Sequence, residues 1–266
     1  MKVLIDGFIH CLQFFTSVPI NKNISMEKQR LKTSLLILPI VGLLIGILAS
    51  TLMYFLQEWS PFSSLAIAFI VFIYFIFITG GLHLDGWADC SDAFFSFRDK
   101  DRRLEIMKDP QVGTFAVLSL LIMLAARFLF IYETILVESP YYYFFSAIIP
   151  FLSRSMMLLL LIKGPGLAKQ EGLAALFSQS IRSKHVWVIA LYNLVLVGGS
   201  YIWLGWPIVQ PLIYGMLAIL LFYVWASFFI KREFNGLTGD TLGASIEGGE
   251  TYLWMILWLL HSYAMA

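Results

Sequence analysis

Six predominantly apolar stretches of near membrane-spanning length dominate this chain of 266 residues. They cover residues 33–56, 62–78, 113–137, 141–162, 186–204 and 212–230. A shorter seventh stretch, 251–264, is marginal for a span. Hydrophobic residues make up 59% of the sequence and charged residues 13%, which excludes an ordinary soluble surface. The sequence therefore predicts an all-α, polytopic integral membrane bundle of six or seven transmembrane helices, forming a single domain over residues 1–266.

The basic residues divide unevenly among the segments between these stretches. With the N-terminus inside, 16 of the 18 Lys and Arg residues lie in inner segments, before residue 33 and within 80–112, 163–185 and 231–232. None lies in the outer turns 57–61, 138–140 and 205–210. Because Lys and Arg accumulate in cytoplasmic loops, we expect the inner loops to face the cytoplasm of a bacterial or archaeal cell, and a functional site is to be sought on that face. A net charge of +1 gives no indication of nucleic-acid binding.

The first 17 residues have polar positions at helical spacing within an apolar run. No small-residue cleavage site follows, so a removed signal peptide is not expected. The pattern favours a retained amphipathic helix on the cytoplasmic leaflet. The two cysteines, Cys11 and Cys90, would both face the reducing cytosol, and we expect no disulfide between them.

Three aspartates follow the second apolar stretch at positions i, i+4 and i+7: Asp85, Asp89 and Asp92. On a helix they fall within an arc of about 60°, so their side chains are predicted to converge. Such crowding of like charges needs a compensating cation, and a hard divalent ion such as Mg²⁺ held with a substrate phosphate meets that need. The alternative is a solvated acidic helix face.

Basic residues follow the aspartates closely, and 101–108 is typical of a second short amphipathic helix that ends before Pro110. Guanidinium and ammonium groups beside metal-binding carboxylates would suit a diphosphate. The candidate substrate-binding residues here are Arg98, Arg102, Arg103 and Lys108. The alternative is an ordinary charged loop with local ion pairs.

A second polar segment, 231–243, has three glycines in eight residues. We expect Thr238, Gly239 and Asp240 to approach a bound anion, with Asp240 as a further metal ligand. Two later carboxylates, Glu247 and Glu250, could complete the metal shell, although a flexible connection would have the same composition.

Two arginines lie within predicted spans, and each would cost several kcal/mol if exposed to lipid. Arg127 and Arg154 are therefore expected to face the bundle interior and a carboxylate or phosphate. For Arg154, binding of a substrate phosphate and a structural ion pair are both open. His83 is expected to be a hydrogen-bonded histidine rather than a metal ligand, because i, i+2 places it on a different helix face from Asp85.

Three ordered motifs resemble one family over essentially the whole chain. Residues 80–86, 102–109 with 113–115, and 237–244 are similar to the cobalamin synthase, or adenosylcobinamide-GDP ribazoletransferase, family. The resemblance implies a membrane enzyme that joins adenosylcobinamide-GDP to α-ribazole or its 5′-phosphate, releases GMP and uses Mg²⁺. Within it, Asp85 and Asp89 are the first choices as metal ligands, and Asp92 is a third ligand or the base. A homo-oligomer is compatible with this interpretation.

Three other functions remain open from the sequence. A phosphotransferase of the CDP-alcohol type would use a longer spacing of paired aspartates than the one found here. A divalent-cation or corrinoid transporter would place its ionisable residues near the bilayer midplane rather than in loops. A non-catalytic assembly partner would not need either acidic motif.

Overall fold

The computed structural model describes residues 2–25, 27–137 and 141–263, and these fold into eleven α-helices and one short 3₁₀ helix. The predicted outer turn 138–140 and the final residues 264–266 lie outside the described residues. The helices are α1 (Lys2–Phe15), α2 (Lys28–Trp59), α3 (Ser64–Thr79), α4 (Leu82–Phe95), α5 (Lys100–Ile106), α6 (Thr114–Leu136), α7 (Tyr141–Lys163), α8 (Gly172–Ser180), α9 (Val186–Leu204), α10 (Trp206–Phe234) and α11 (Gly239–Tyr263), with the 3₁₀ helix Ser183–His185 before α9.

Within the described residues, five helices are long and apolar enough to cross a membrane, namely α2, α6, α7, α10, and α9 together with its 3₁₀ turn. The pair α3 and α4 would make a sixth span, but it is bent by 88° at Gly80 and Gly81. Both glycines have positive φ, the conformation that a side chain disfavours. Because of the bend, we treat α4 as lying outside the spanning segments. The predicted all-α membrane architecture is confirmed, and each of the six apolar stretches lies on a helix.

The core of the bundle is the packing of α2 against α7, the most extensive helix contact among the described residues. Gly42 and Gly46 on α2 lie directly against the backbone of α7 at Pro150 and Ala147. Two glycines four residues apart let helix backbones approach closely, as in many membrane helix pairs. Nearly all of α7 is buried between its neighbours, so it forms the central helix around which the others pack.

The N-terminal helix α1 forms as predicted, but its polar stripe faces the protein. Asp6 is buried and pairs with Lys22 at 2.8 Å and with Arg30 at 3.6 Å. His10 lies 3.3 Å from the hydroxyl of Ser34 on α2. The apolar positions 3–5 are exposed instead. The polar face of this amphipathic helix is therefore turned towards the protein, where His10 packs against α2.

The second polar segment is mostly helix and not a flexible connection. Only residues 235–238 form a turn, and α11 begins at Gly239. The marginal seventh stretch is the C-terminal part of this same helix. Asp240, Glu247 and Glu250 therefore lie on one helix, with Asp240 half-buried at its start and the two glutamates buried in the bundle. Both cysteines are free, as predicted.

Candidate active site

Two of the three clustered aspartates remain available for chemistry. All three lie on α4, as the spacing predicts, with Asp85 exposed and Asp89 and Asp92 half-buried. Asp92 is turned towards the start of α6, where its two carboxylate oxygens accept hydrogen bonds from the backbone N–H groups of Gly113 (2.5 Å) and Ala116 (2.8 Å). A carboxylate at this position satisfies the free amides of a helix N-terminus. Asp92 therefore anchors α6 to α4.

The predicted shared metal site of Asp85, Asp89 and Asp92 stays a prediction, because Asp92 bonds to the start of α6 while its charge still acts on Asp89. Over the described residues, no group of three or more His, Cys, Asp or Glu side chains is arranged to hold a metal ion by itself. The helical arc was predicted correctly, but the amides at the start of α6 hold Asp92. Gly113 makes this possible, because a Cβ there would lie 2.6 Å from the Asp92 carboxylate oxygens.

The start of α11 supplies another carboxylate to this region. Gly86 on α4 lies against the backbone of Asp240, since a Cβ at Gly86 would be 2.7 Å from the Asp240 carbonyl oxygen. One turn further along α11, a Cβ at Gly243 would be 3.3 Å from the Cα of His83. These two glycines let the helix backbones touch beside Asp85 and Asp89. The aspartates of α4 thus meet the second polar segment, although the two lie about 150 residues apart in the chain.

The turn before α11 is held by its own hydrogen bonds. Thr238 Oγ1 accepts from the Thr241 N–H at 3.1 Å, and the Thr238 N–H donates to Thr241 Oγ1 at 2.8 Å. This reciprocal capping ties down the start of the helix. Gly239 and Asp240, which follow the cap, occupy a fixed position facing α4.

The carboxylates of this region crowd one another electrostatically. Burial, followed by the charges of Asp85, Asp240 and Asp92, raises the pKa of Asp89 to about 7. Burial raises the pKa of Asp240 as well, with a smaller contribution from Asp85. The charged forms of these groups are disfavoured together, so a cation among them would relieve the repulsion.

The basic residues that follow α4 have different contacts, although the sequence suggested one shared role. Arg103 pairs with Glu233 at the end of α10 and lies 5.5 Å above the ring of Phe94, so it holds α5 in place. Arg102 pairs with Glu105 at 2.5 Å on the exposed side of α5. Arg98 is exposed in the turn before α5. Of the four candidates, Arg103 is the one most clearly engaged in the fold.

Lys108 does approach the second polar segment. A cavity of about 440 Å³ lies between the end of α5, residues 169–174 and the start of α11. Lys108 lines it together with Thr238, Gly239 and Asp240, so four of the predicted substrate-binding residues share one cavity. Lys108 also lies 3.7 Å from Glu171, an exposed pair of small energetic value.

Lys169 lines the same cavity and was not among the residues predicted from the sequence. Its segment is pinned to the turn before α11, because the Leu237 N–H donates to the Gly166 carbonyl at 2.7 Å and the Ala168 N–H donates to the Leu237 carbonyl at 3.1 Å. The sequence showed Lys169 only as one of several basic residues in an inner segment. Its proximity to Asp240 depends on this non-local backbone pairing, which no pattern in the sequence indicates.

The two intramembrane arginines face buried carboxylates, as predicted. Arg127 on α6 lies 2.7 Å from Glu247, and Arg154 on α7 pairs with Glu250. Arg127 also lies 3.7 Å from Glu250, which connects the two pairs. For Arg154 the geometry favours the structural pair over substrate binding, since the side chain is 2% exposed. Glu247 and Glu250 are neutralised inside the bundle, so the suggestion that they complete a metal shell is wrong.

His83 is buried, but its predicted hydrogen bonds are absent. Neither ring nitrogen has a hydrogen-bond partner among the described residues, and Nδ1 lies 4.0 Å from Glu247. Burial lowers the pKa of His83 to about 3, with smaller effects of Arg154 and Arg127. The imidazole is therefore neutral.

A family model described as Cobalamin-5-phosphate synthase (CobS) matches residues 7–258. The chain belongs to this family. The resemblance carried by the three sequence motifs is thereby confirmed, and the chain is a transferase of cobalamin biosynthesis. Membership also decides against the transporter and assembly-partner alternatives.

Relatives bearing the name adenosylcobinamide-GDP ribazoletransferase match the chain along its length. The chain is 42% identical to the protein of Geobacillus sp. (strain WCH70) and 40% identical to that of Geobacillus thermodenitrificans (strain NG80-2), with 100% of each chain covered. It is 34% identical to the protein of Halalkalibacterium halodurans, with 97% of each chain covered. No solved structure matches it.

Proposed function

We propose that this member of the CobS family joins adenosylcobinamide-GDP to α-ribazole, or to its 5′-phosphate, and releases GMP. The contact between α4 and α11 carries the proposal, because it brings Asp85 and Asp89 beside Asp240 and the lysine-lined cavity. Carboxylates and ammonium groups meeting at one place suit a diphosphate substrate bound with a metal ion. The names of the relatives supply the two substrates.

The carboxylates fit Mg²⁺, which proteins commonly hold through one or two carboxylates plus substrate phosphates. Asp85 and Asp240 are the proposed ligands, and their crowding with Asp89 is the observation that supports a cation there. When bound, the ion would neutralise charge that develops on the departing phosphate. Asp92 is left out of this set because the amides of α6 already engage both of its oxygens.

The proposed reaction is a displacement at one phosphorus. The ribose 3′-hydroxyl oxygen of the ribazole bonds to the phosphorus on the cobinamide side of the diphosphate, and the bond from that phosphorus to the oxygen of GMP breaks. Asp89, which lies half-buried one turn after Asp85 on α4, accepts the hydroxyl proton. Lys108 and Lys169, at the cavity that contains Asp240, hold the nucleotide phosphates.

Turnover by the purified full-length protein tests this function. We expect GMP release that requires adenosylcobinamide-GDP, α-ribazole and Mg²⁺ together, with the joined corrinoid detected by mass spectrometry. Reactions lacking one substrate, and reactions with excess chelator, are the controls. Release of CMP from a CDP-alcohol in place of this reaction would support the phosphotransferase alternative and contradict the proposal.

A side chain at Gly86 is expected to separate the two halves of this site. In Gly86→Ala the new methyl would lie 2.7 Å from the Asp240 carbonyl oxygen, so α4 or α11 must shift. A displacement of about 1 Å can cost an enzyme about 10²-fold in rate, and we expect a loss of kcat of that order. Gly198→Ala on α9 is the matched control, because nothing lies within 4 Å of the new methyl there. Equal kcat in both variants would contradict the close approach.

The proposed site faces the cytoplasm, on the basis of the basic residues in the inner segments. A cysteine at Asp101 on α5 should therefore react with a membrane-impermeant maleimide only from the cytoplasmic side, and one at Glu58, at the end of α2, only from outside. Both positions are exposed. Labelling of the Asp101 variant from outside, in intact cells, would contradict the proposed orientation.

A further inference from the structure

A second cavity, of about 670 Å³, lies between α4, α6, α10 and α11. Its lining is almost entirely apolar and includes eight aromatic side chains. Pockets of this size, apolar with a few placed polar groups, are typical of small-molecule sites. The aromatic residues that define it best are Trp87, Phe94, Phe115, Phe222, Trp225 and Phe229.

Several residues that line the cavity are neighbours, in the sequence, of the carboxylates of the candidate active site. Cys90 and Ser91, which line it, directly follow Asp89 on α4. Thr241, which also lines it, directly follows Asp240 on α11. On α4 the carboxylates and the cavity wall lie on different faces, because successive residues of a helix are turned by about 100°. On α11, however, Ala244 lines the cavity and lies one turn after Asp240 on the same face. A ligand with a polar end at Asp240 can therefore place an apolar end in the cavity.

A polar cluster interrupts the apolar lining. The indole N–H of Trp87 donates to Ser119 Oγ at 2.6 Å, and the hydroxyls of Ser91 and Ser119 lie 2.7 Å apart. The Ser91 hydroxyl also lies 2.7 Å from the Trp87 carbonyl oxygen, to which it can donate. Two linked hydroxyls in the wall offer a hydrogen bond to a ligand that carries one or two polar ring atoms. A hydrocarbon chain would gain nothing from them.

We propose that this cavity binds the fused aromatic base of the ribazole substrate. The inference rests on the proposed function, which supplies the substrate. A flat bicyclic base stacks on aromatic side chains, and its single free ring nitrogen can accept a hydrogen bond from the serine pair. With the base in the cavity, the attached ribose lies towards Asp240 at the start of α11. Guanine fits less well, because its several donors and acceptors would be left unpaired in so apolar a lining.

Binding of free 5,6-dimethylbenzimidazole to the full-length protein in detergent tests the proposal without catalysis. Loss of one stacked ring is expected to weaken binding of the base about tenfold in Phe229→Leu. Phe228→Leu is the matched control, since Phe228 is the preceding residue on α10 and does not line the cavity. In turnover, Phe229→Leu should raise the KM for α-ribazole similarly and leave the KM for adenosylcobinamide-GDP unchanged.

A second variant covers the case in which Phe229→Leu unfolds. Ser119→Phe fills the cavity from α6 and should abolish binding of the base, with folding checked by gel filtration. If base affinity is unchanged in both variants while turnover continues, the cavity assignment is wrong and the proposed function stands. Co-purified lipid that is lost in Ser119→Phe with no change in base affinity would assign the cavity to an acyl chain instead. If the base binds as expected but the protein has no turnover, the proposed function fails.

Discussion

Replacing Asp85 or Asp89 with Asn is expected to lower kcat by about 10³-fold or more, because each change removes a charge from the proposed site while keeping the size of the side chain. The two variants should differ in their response to the metal. Asp85→Asn, at a proposed ligand, should recover part of its activity at high Mg²⁺ concentration. Asp89→Asn, at the proposed base, should not. Initial rates of GMP release over a range of Mg²⁺ concentrations measure both effects.

The control for these variants is Asp101→Asn on α5, an exposed carboxylate in the first turn of its helix. We expect near-normal activity from it. Gel filtration should show all three proteins folded, since Asp85 is exposed and Asp89 half-buried. Normal turnover in a folded Asp85→Asn or Asp89→Asn protein would remove that residue from the proposed mechanism.

Replacing Arg154 with Met is expected to cause the largest loss of stability. The change leaves Glu250 buried beside Arg127, which lies 3.7 Å away and is mainly engaged by Glu247. Removing one partner of a buried ion pair typically costs about 3–5 kcal/mol, because the other charge stays buried without compensation. The thermal unfolding midpoint in detergent should fall accordingly.

Two comparisons make the Arg154 result interpretable. Arg102→Met breaks an exposed pair with Glu105 and should cost at most about 1 kcal/mol. The double variant Arg154→Met with Glu250→Met removes both charges and should recover much of the lost stability. A midpoint for Arg154→Met equal to that of Arg102→Met would contradict the importance of the buried pair.

The sequence predicted the helices well because the signal for each is local. Apolar stretches of spanning length and the i, i+4, i+7 aspartates are visible within one segment, and α9 begins and ends at the predicted residues 186 and 204. The short helix α5 was also predicted, and its start is fixed by Asp99, whose side chain accepts from the Arg102 N–H at 3.1 Å. Patterns of this kind need no knowledge of the partner helix.

The sequence failed where a side chain's role depends on a distant segment. Asp92 has the same spacing as its neighbours on α4, but the amides of α6, more than 20 residues later, engage it. Glu250 follows the second polar segment closely in the sequence, but it pairs with Arg154 on α7. Lys169 joins the site through a backbone pairing of residues 167 and 237. In each case the contact is set by packing that a single sequence does not display.

The central claim is that α4 and α11 form one catalytic site, and a double-mutant cycle between Asp89 and Asp240 tests it most directly. GMP release would be measured for Asp89→Ala, Asp240→Ala and the double variant over a range of Mg²⁺ concentrations. Because residues that serve one site are not independent, the double variant should be little worse than the more damaged single variant, and Asp240→Ala should need more Mg²⁺ than the unmodified protein. Free-energy losses that simply add, with an unchanged Mg²⁺ requirement in Asp240→Ala, would contradict the shared site.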